Sequence, residues 1–486
     1  MHPVLRLQNI EQAPPSYRNT LRDALRGGPR ALSNLQTLER GLAGRAQPKH
    51  VLPVLYATLD PSPILDASSS DTPPPFPDSL LDRVLICIGI LATMLEDSRV
   101  PSEAFSFIWP RLFDWVLFIE NYHDSHPDLV GREVRRPFFV GFVMATAELV
   151  AHEPTRDMIE ATPGFRTLIG RIWLSFPESW DDPDIPWHHL GILLMDNLLL
   201  QDPTNLRDFV AAFDGGESQL ATFVIKHIAP ASIEYVAPAM DVILKTQKNQ
   251  RFMAILLDHG LIPALTRLVA LYASQKDAVK YLVESFPPLS RPFEMPRALH
   301  WITQALKAGL LDAIVLAGTN YPNHAGTIEY LQWFLAHVLP RARVYLPAVV
   351  QISRTLEHAV SLAAALAFQK SLLFPAWKAF VAMAEDSLQY LAYYSRPDRP
   401  RSVQVCYNSQ CLKVLPRKST KRCPQCRLCH YCSEDCQRID WLDGKHRREC
   451  GDLYSNRVAS PDDLSARNRD FLRTIVEFEY MRDRGM

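Results

Sequence analysis

The placement of the nine cysteines is the strongest constraint on what this 486-residue chain can fold into. Eight of them lie between Cys406 and Cys450, and only Cys87 precedes them. A disulfide framework would spread cysteines through a small secreted domain, whereas tight clustering indicates metal ligands in a reducing compartment. The N-terminus has no apolar segment typical of a signal peptide, and the longest uncharged apolar run, Val84–Leu95, is too short to cross a bilayer. We therefore expect a cytoplasmic or nuclear protein, or both, that is neither secreted nor in a membrane.

The spacing of the clustered residues predicts two metal sites. The pattern reads C-x4-C-x11-C-x2-C-x5-C-x3-C-x9-H-x3-C. Seven thiolates and one imidazole make two tetrahedral sites, the coordination that zinc prefers. Because four protein ligands leave no position for water or substrate, both zinc ions are expected to be structural. The eight ligand candidates are Cys406, Cys411, Cys423, Cys426, Cys432, Cys436, His446 and Cys450.

Two ligand pairs are separated by about one helical turn, so each pair can share one ion. Cys432 and Cys436 lie at the start of an expected helix that Ser433 can cap. His446 and Cys450 form the second such pair. The two remaining cysteine pairs complete the sites, and spacing alone leaves open which pair joins which.

The string C-P-Q-C-R-L-C-H-Y-C-S-E-D-C-Q-R-I-D-W, followed by K-H-R-R-E-C, resembles the MYND-type zinc finger. The residues that follow, Leu464–Arg473, resemble the helix after the finger in fungal MYND proteins with a large helical N-terminal region. The resemblance implies a cross-brace, in which alternating pairs share an ion. Cys406, Cys411, Cys432 and Cys436 would hold one zinc, and Cys423, Cys426, His446 and Cys450 the other.

Two departures from the family pattern and one extra thiol stand out. The first pair is C-x4-C where C-x2-C is usual, which is expected to loosen the first knuckle. The gap between Cys436 and His446 is nine residues where seven are usual, with Gly444 as the expected insertion point. Cys429 is spare, and we interpret it as a bystander thiol, with replacement of a neighbouring ligand as the alternative.

Gln437 and Trp441 lie four residues apart on the expected finger helix and hence on one face. The resemblance implies that these positions border a groove that binds short proline-containing peptides. Extended proline-rich segments suit an aromatic-lined groove because they lose little chain entropy on binding. The alternative is that Trp441 packs in the small core of the finger.

Charge argues against nucleic acid as the main partner. The whole chain has 52 Lys and Arg against 53 Asp and Glu. Between Arg401 and Asp452, basic residues exceed acidic ones by five, and seven thiolates with two zinc ions reduce that excess to two. So small a positive charge is weak for phosphate binding.

The region before the finger is predicted to be helical. Apolar residues recur at helical spacing after Gly164, the Gly215-Gly216 pair, Gly260 and Gly309, at intervals of 45 to 51 residues. Glycine at such points suits a left-handed helix end. Armadillo and HEAT repeats have periods of about 40–47 residues. The fold is therefore expected to be mainly α, an armadillo/HEAT-like or irregular helical array. The expected divisions are 1–79 (helical, with a Pro/Ser-rich loop from Asp60 to Ser79), 80–395 (helical domain), 396–405 (linker), 406–450 (finger) and 451–486 (C-terminal helix).

The C-terminal segment has helix signals in Ser460, as a cap, and Pro461, as first residue. Its apolar stripe predicts a helix that docks on the finger or on the helical domain. The stripe consists of Leu464, Phe471, Ile475 and Phe478.

No common nucleotide-binding, hydrolase or metalloprotease motif occurs in the chain. Some MYND proteins carry a SET methyltransferase domain, but no SET-like Asn-His-Ser-Cys string is present and 36 residues follow Cys450. We therefore expect a non-enzymatic adaptor or scaffold that binds protein, in transcriptional regulation. An accessory subunit of a ubiquitin ligase is the alternative, and an enzyme pocket without a linear motif is a third hypothesis. The partner and the oligomeric state stay open.

Overall fold

The structure is a computed structural model that is mainly α-helical, as predicted. It describes residues 1–27, 30–41, 47–64, 78–125, 132–176, 187–194, 200, 202–228, 233–295, 297–397, 403–411, 413–459 and 465–483. In these residues, β-strands occur only in the cysteine-rich segment. Most of the Pro/Ser-rich loop, residues 65–77, lies outside the described residues.

The chain forms two compact units, Met1–His259 and Gly260–Met486. This boundary falls inside residues 80–395, which the sequence analysis predicts as one helical domain. No single helix in the described residues is long and apolar enough to cross a membrane, although two bent helix pairs reach the required length and apolar content.

The first unit is built from helices packed around an aliphatic and aromatic core. Helix α4 (Asp78–Glu96) packs against α6 (Arg132–Val150), α8 (Phe165–Ser175) against α10 (Pro203–Val210), and α11 (Gly216–Ile228) against α12 (Ile233–Thr246). Trp109, Trp115 and Trp173 are among its largest fully buried side chains. The helices are α1 (Pro15–Arg26), α2 (Ala31–Gly41), α3 (Pro48–Thr58), α4 (Asp78–Glu96), α5 (Phe105–Ser125), α6 (Arg132–Val150), α7 (Glu153–Glu160), α8 (Phe165–Ser175), α9 (Trp187–Ile192), α10 (Pro203–Val210), α11 (Gly216–Ile228), α12 (Ile233–Thr246) and α13 (Gln250–Asp258).

The second unit continues the helical architecture and ends in the cysteine-rich segment. Helix α14 (Leu261–Ser274) packs against α17 (Leu310–Asn320), α17 against α20 (Leu346–Ala363), and α20 against α22 (Phe374–Tyr394). Its helices before the cysteines are α14 (Leu261–Ser274), α15 (Val279–Ser290), α16 (Ala298–Lys307), α17 (Leu310–Asn320), α18 (Ala325–Trp333), α19 (Leu339–Ala342), α20 (Leu346–Ala363), α21 (Leu366–Gln369) and α22 (Phe374–Tyr394). The strands are β1 (Val403–Val405), β2 (Val414–Pro416), β3 (Lys421–Arg422) and β4 (His430–Tyr431), followed by α23 (Glu434–Leu442), α24 (His446–Ala459) and α25 (Ala466–Asp483).

The repeated glycines have the left-handed backbone that the sequence predicts. Gly164, Gly216, Gly260 and Gly309 all have positive φ, from 60° to 99°. At Gly309, φ is 99° and the N–H donates to the carbonyl of Leu306, which ends α16 and allows α17 to start in a new direction. An armadillo or HEAT repeat as such stays a prediction.

The C-terminal helix α25 docks on the helical part of the second unit, as its apolar stripe predicts. Phe471 is fully buried against Val349 of α20 and Tyr390 of α22, and Ile475 and Phe478 pack beside it. α25 begins at Ala466, where the Ser465 hydroxyl accepts from the N–H of Asn468 at 3.3 Å. The expected cap Ser460, Pro461 and the stripe residue Leu464 lie outside the described residues.

Candidate metal centre

Two short hairpins frame the cysteine-rich segment. β1 pairs antiparallel with β2, with Val405 opposite Val414, and β3 pairs antiparallel with β4, with Lys421 opposite Tyr431. The N–H of Tyr407 donates to the carbonyl of His430 at 2.8 Å and joins the two hairpins. The backbone thus places the two hairpins side by side.

The first ligand set consists of four cysteines. The sulfur atoms of Cys406, Cys411, Cys432 and Cys436 all lie within 4.8 Å of one another. The Sγ atoms of Cys411 and Cys432 are 3.5 Å apart, and those of Cys432 and Cys436 are 3.4 Å apart. With Zn–S bonds of about 2.3 Å, sulfurs around a tetrahedral zinc lie about 3.8 Å apart, so this set closes on a single ion with small adjustments.

The second ligand set is fully buried. The ligand atoms of Cys423, Cys426, His446 and Cys450 also lie within 4.8 Å of one another. The Cys423 and Cys450 sulfurs are 3.9 Å apart, and the Cys426 sulfur is 3.8 Å from Nε2 of His446. These distances match a tetrahedral zinc with three sulfurs and one nitrogen.

The two sets interleave along the chain, since each takes one early pair and one late pair of ligands. This is the cross-brace that the resemblance implies. The donor types, the four-fold coordination and the separations fit two structural zinc ions, as predicted. Cys429 belongs to neither set.

The finger helix α23 begins beside two ligands of the first set, Cys432 and Cys436. The Ser433 hydroxyl accepts from the N–H of Cys436 at 3.2 Å, which is the predicted N-cap. Hydrogen bonds from Cys432 and then from Ser433 lower the pKa of the Cys436 thiol to about 7. The same hydrogen bond raises the pKa of the Cys432 thiol to about 12, so binding of zinc, which needs both thiolates, releases protons.

Both departures from the usual spacing are absorbed by turns. In the longer first loop, the Asn408 side chain is buried, its Oδ1 accepts from the N–H of Gln410 at 3.0 Å, and its carbonyl accepts from the N–H of Cys411 at 2.9 Å. The extra residues between α23 and α24 form a turn at Gly444, whose N–H donates to the carbonyl of Ile439 at 3.3 Å. A Cβ at Gly444 would lie 2.6 Å from the backbone oxygen of Asp440, so the turn requires glycine.

The buried core of the finger consists of five cysteines and Tyr431, and Trp441 packs partly against it. Tyr431 is fully buried, and its hydroxyl donates to Oδ2 of the buried Asp440 at 2.8 Å. The rings of Tyr407, Tyr431 and Trp441 each meet the His446 imidazole edge-on, with centroids 5.9, 6.1 and 5.6 Å away. The imidazole of this ligand is therefore held by aromatic contacts on several sides.

Gln437 and Trp441 lie on one face of α23, and both are partly exposed. Trp441 packs against the cysteine core and the His446 ring, so it contributes to the core while part of its surface faces solvent. The neighbouring Leu442 is 64% exposed and lies about a quarter turn away.

Sequence reasoning did not identify Asn408, Tyr407 or the Tyr431–Asp440 pair as parts of the site. Asn408 carries a signal that could have been used, because asparagine in a short polar loop favours a turn closed by its own side chain. The Tyr431–Asp440 hydrogen bond links residues nine positions apart, and no local pattern announces it. Cys429 is buried, as expected of a bystander, but its Sγ lies 3.3 Å from Nδ1 of His446.

Comparisons with known proteins agree on this segment. Residues 406–450 match the family model of the MYND finger. The chain is 40% identical over 70 residues to histone-lysine N-methyltransferase SMYD3 of Mus musculus, a match covering 13% of this chain and 15% of that protein. No solved structure matches the chain. Residues 406–450 therefore form a two-zinc MYND finger, a non-catalytic protein-interaction module.

Proposed function

From the MYND finger of residues 406–450 we propose that this protein is a non-enzymatic adaptor whose finger binds short proline-containing peptides. The partly exposed face of Gln437 and Trp441 carries the proposal. Trp441 is held by the zinc ligand His446, with ring centroids 5.6 Å apart, so the metal site keeps the indole in one position. A rigid aromatic surface loses little entropy on binding and suits an extended proline-containing segment.

The non-enzymatic part of the proposal is supported by the metal sites and by the extent of the similarity. Each ligand set uses four protein atoms, so neither zinc has a free position for substrate. The similarity to the methyltransferase covers 15% of that protein. So short a match does not indicate that this chain has the methyltransferase activity.

The helical region supplies the second contact of the proposed adaptor. Two weak contacts on one chain strengthen each other through effective concentration. The proposed compartment is the cytoplasm or the nucleus, since clustered cysteines that bind metal instead of forming disulfides suit a reducing environment. The proposed process is transcriptional regulation. The alternative is that the protein is an accessory subunit of a ubiquitin ligase, and identification of the binding partners distinguishes the two.

The test compares the full-length protein with Trp441→Ala and with Leu442→Ala, a matched deletion of an exposed apolar side chain on the same helix. Full-length protein is needed because removing the C-terminal part would uncover the surface beneath Phe471. Each variant is assayed for zinc content, for partners captured from cells, and for binding to a proline-rich peptide panel and its alanine-substituted counterparts.

Trp441→Ala should keep two zinc ions and lose proline-dependent binding by about 30-fold or more, the effect of removing an interface hot spot. Leu442→Ala should bind as the wild type does. If the zinc-loaded Trp441→Ala protein still captures the same peptides and partners, the finger face is not the recognition site. Recovery of ubiquitin-conjugating enzymes instead of proline-containing partners would favour the alternative.

A further inference from the structure

The spare thiol of the finger lies against the back of a zinc ligand. Cys429 is 1% exposed, and its Sγ is 3.3 Å from Nδ1 of His446. The other ring nitrogen, Nε2, is 3.8 Å from the sulfur of Cys426 and faces the second ligand set. The two nitrogens of this imidazole therefore have different neighbours: one faces the metal position, and the other faces Cys429.

The backbone fixes the position of Cys429. Its carbonyl accepts from the N–H of Cys423, itself a ligand, at 3.0 Å. The next residue, His430, begins β4, and its carbonyl accepts from the N–H of Tyr407 at 2.8 Å. The sulfur is thus held by the same loop and hairpins that form the zinc site.

An imidazole that binds zinc through Nε2 carries its hydrogen on Nδ1, and that N–H requires an acceptor when the ring is buried. Zinc-bound histidines generally find a carboxylate, a backbone carbonyl or a water for this purpose. His446 is fully buried, and the acceptor that the structure places at its Nδ1 is the Cys429 sulfur.

We propose that Cys429 is a positioning residue of the second zinc site, whose sulfur accepts the Nδ1–H hydrogen bond of His446 and holds Nε2 toward the metal. Cys429 is then neither a ligand nor a bystander. The hydrogen bond fixes the tautomer and the ring plane, and partners of this kind typically change metal affinity by about 10–100-fold when they are removed.

Three substitutions in the full-length, zinc-loaded protein separate hydrogen bonding from packing. Cys429→Ser keeps an acceptor, Cys429→Val keeps apolar volume without an acceptor, and Cys429→Ala removes both. The first readout is zinc transfer to a chromogenic chelator, which resolves the two ions as two kinetic phases. The second is the ¹⁵N spectrum of histidine-labelled protein, which reports which ring nitrogen of His446 carries hydrogen.

We expect the wild type to show His446 protonated at Nδ1 and metal-bound at Nε2. Cys429→Ala and Cys429→Val should accelerate the loss of one zinc by about tenfold or more and leave the other phase unchanged. Cys429→Ser should remain within a few-fold of the wild type. The four-cysteine set serves as the internal control, because none of its ligands is hydrogen-bonded to His446 in the described structure.

Several outcomes would overturn the proposal. Wild-type kinetics in Cys429→Val would show that the thiol only fills space. Equal acceleration of both phases would indicate a general packing defect. A ¹¹³Cd-substituted protein with four sulfurs at both sites would make Cys429 a ligand in place of His446.

Discussion

Removal of both zinc ions is expected to unfold the finger while the C-terminal helix stays in place. The buried core of the finger contains five cysteines and Tyr431, with Trp441 and Leu453 packed partly against it. A structural zinc contributes about 10–16 kcal/mol in finger peptides, as much as the total stability of a typical domain, about 5–15 kcal/mol. So small an apolar core cannot replace that contribution.

Helix α25 follows the finger in the chain but depends on other contacts. Phe471 is fully buried against Val349 and Tyr390, and the Phe471 and Tyr394 rings are 5.5 Å apart. Arg473 of α25 donates a hydrogen bond to the side-chain amide oxygen of Gln404 in β1 at 3.0 Å. Removal of zinc would break this contact between α25 and the cysteine-rich segment. A hydrogen bond to a charged group contributes about 1.5–3 kcal/mol, less than the about 3–5 kcal/mol lost when a buried phenylalanine is truncated to alanine.

Hydrogen exchange followed by mass spectrometry tests this separation. After chelation, peptides from 403–459 should lose protection, and peptides from 466–483 and from the helical region 260–397 should keep it. Phe471→Ala should do the reverse. It removes about 3–5 kcal/mol from the docked helix, which raises exchange in 466–483 by about two to four orders of magnitude while the protein keeps two zinc ions.

The reasoning is refuted if chelation exposes 466–483 together with the finger, because the helix would then depend on the zinc sites. It is equally refuted if Phe471→Ala releases zinc. A metal-free protein that keeps protection across 403–459 would show that the zinc ions do not hold the finger together.

Three further predictions concern backbone strain, a buried histidine and the finger core. Gly309→Ala should lower the free energy of unfolding by about 1–2 kcal/mol, because φ is +99°; an added Cβ would contact no other atom, so the cost is backbone strain alone. The control is Gly326→Ala, where an added Cβ makes only ordinary contacts within a helix and no such loss is expected. Equal effects of the two substitutions in denaturant titrations would contradict the strain argument. Burial lowers the pKa of His50, and its ring nitrogens have no hydrogen-bond partner among the described residues. Because the folded state resists protonation of His50, the contribution of this residue to the free energy of unfolding should be constant above about pH 6.5 and fall as the pH drops below it. Thermal unfolding of His50→Leu should lose this part of the pH dependence. An unchanged pH dependence in the variant would exclude His50 as its source. Tyr431→Phe should cost about 1–3 kcal/mol by leaving buried Asp440 without its donor, at unchanged zinc stoichiometry; loss of zinc would show that this pair supports the ligands directly.

The zinc sites were readable from the sequence because ligand chemistry is local and distinctive. Clustered cysteines with a histidine have few uses other than metal binding, and spacing limits which pairs can share an ion. Ser433 was readable for the same reason, since a cap acts within one helical turn. The glycines that end helices, such as Gly309, are local features too, because the preference for positive φ belongs to the residue itself.

Contacts between distant residues were not readable. The apolar stripe of α25 predicted a docking helix but did not indicate whether the helix packs on the finger or on the helical domain, because an apolar face can pack against any other apolar surface. The structure selects Val349 and Tyr390, about 120 and 80 residues before Phe471 in the chain. The ring formed around His446 by Tyr407, Tyr431 and Trp441 is likewise visible only when the hairpins have paired.

By itself, then, the sequence determined the helical class, the two zinc ligand sets with help from a family resemblance, and the helix ends at Ser433 and at the glycines, all of which depend on residue type and short spacing. Only the tertiary structure decided where the terminal helix docks and that Cys429, a spare thiol in the pattern, faces Nδ1 of His446 at 3.3 Å. The physical reason is range: ligand identity and capping act over a few residues, whereas burial and hydrogen bonding across the fold depend on which surfaces the folded backbone brings together.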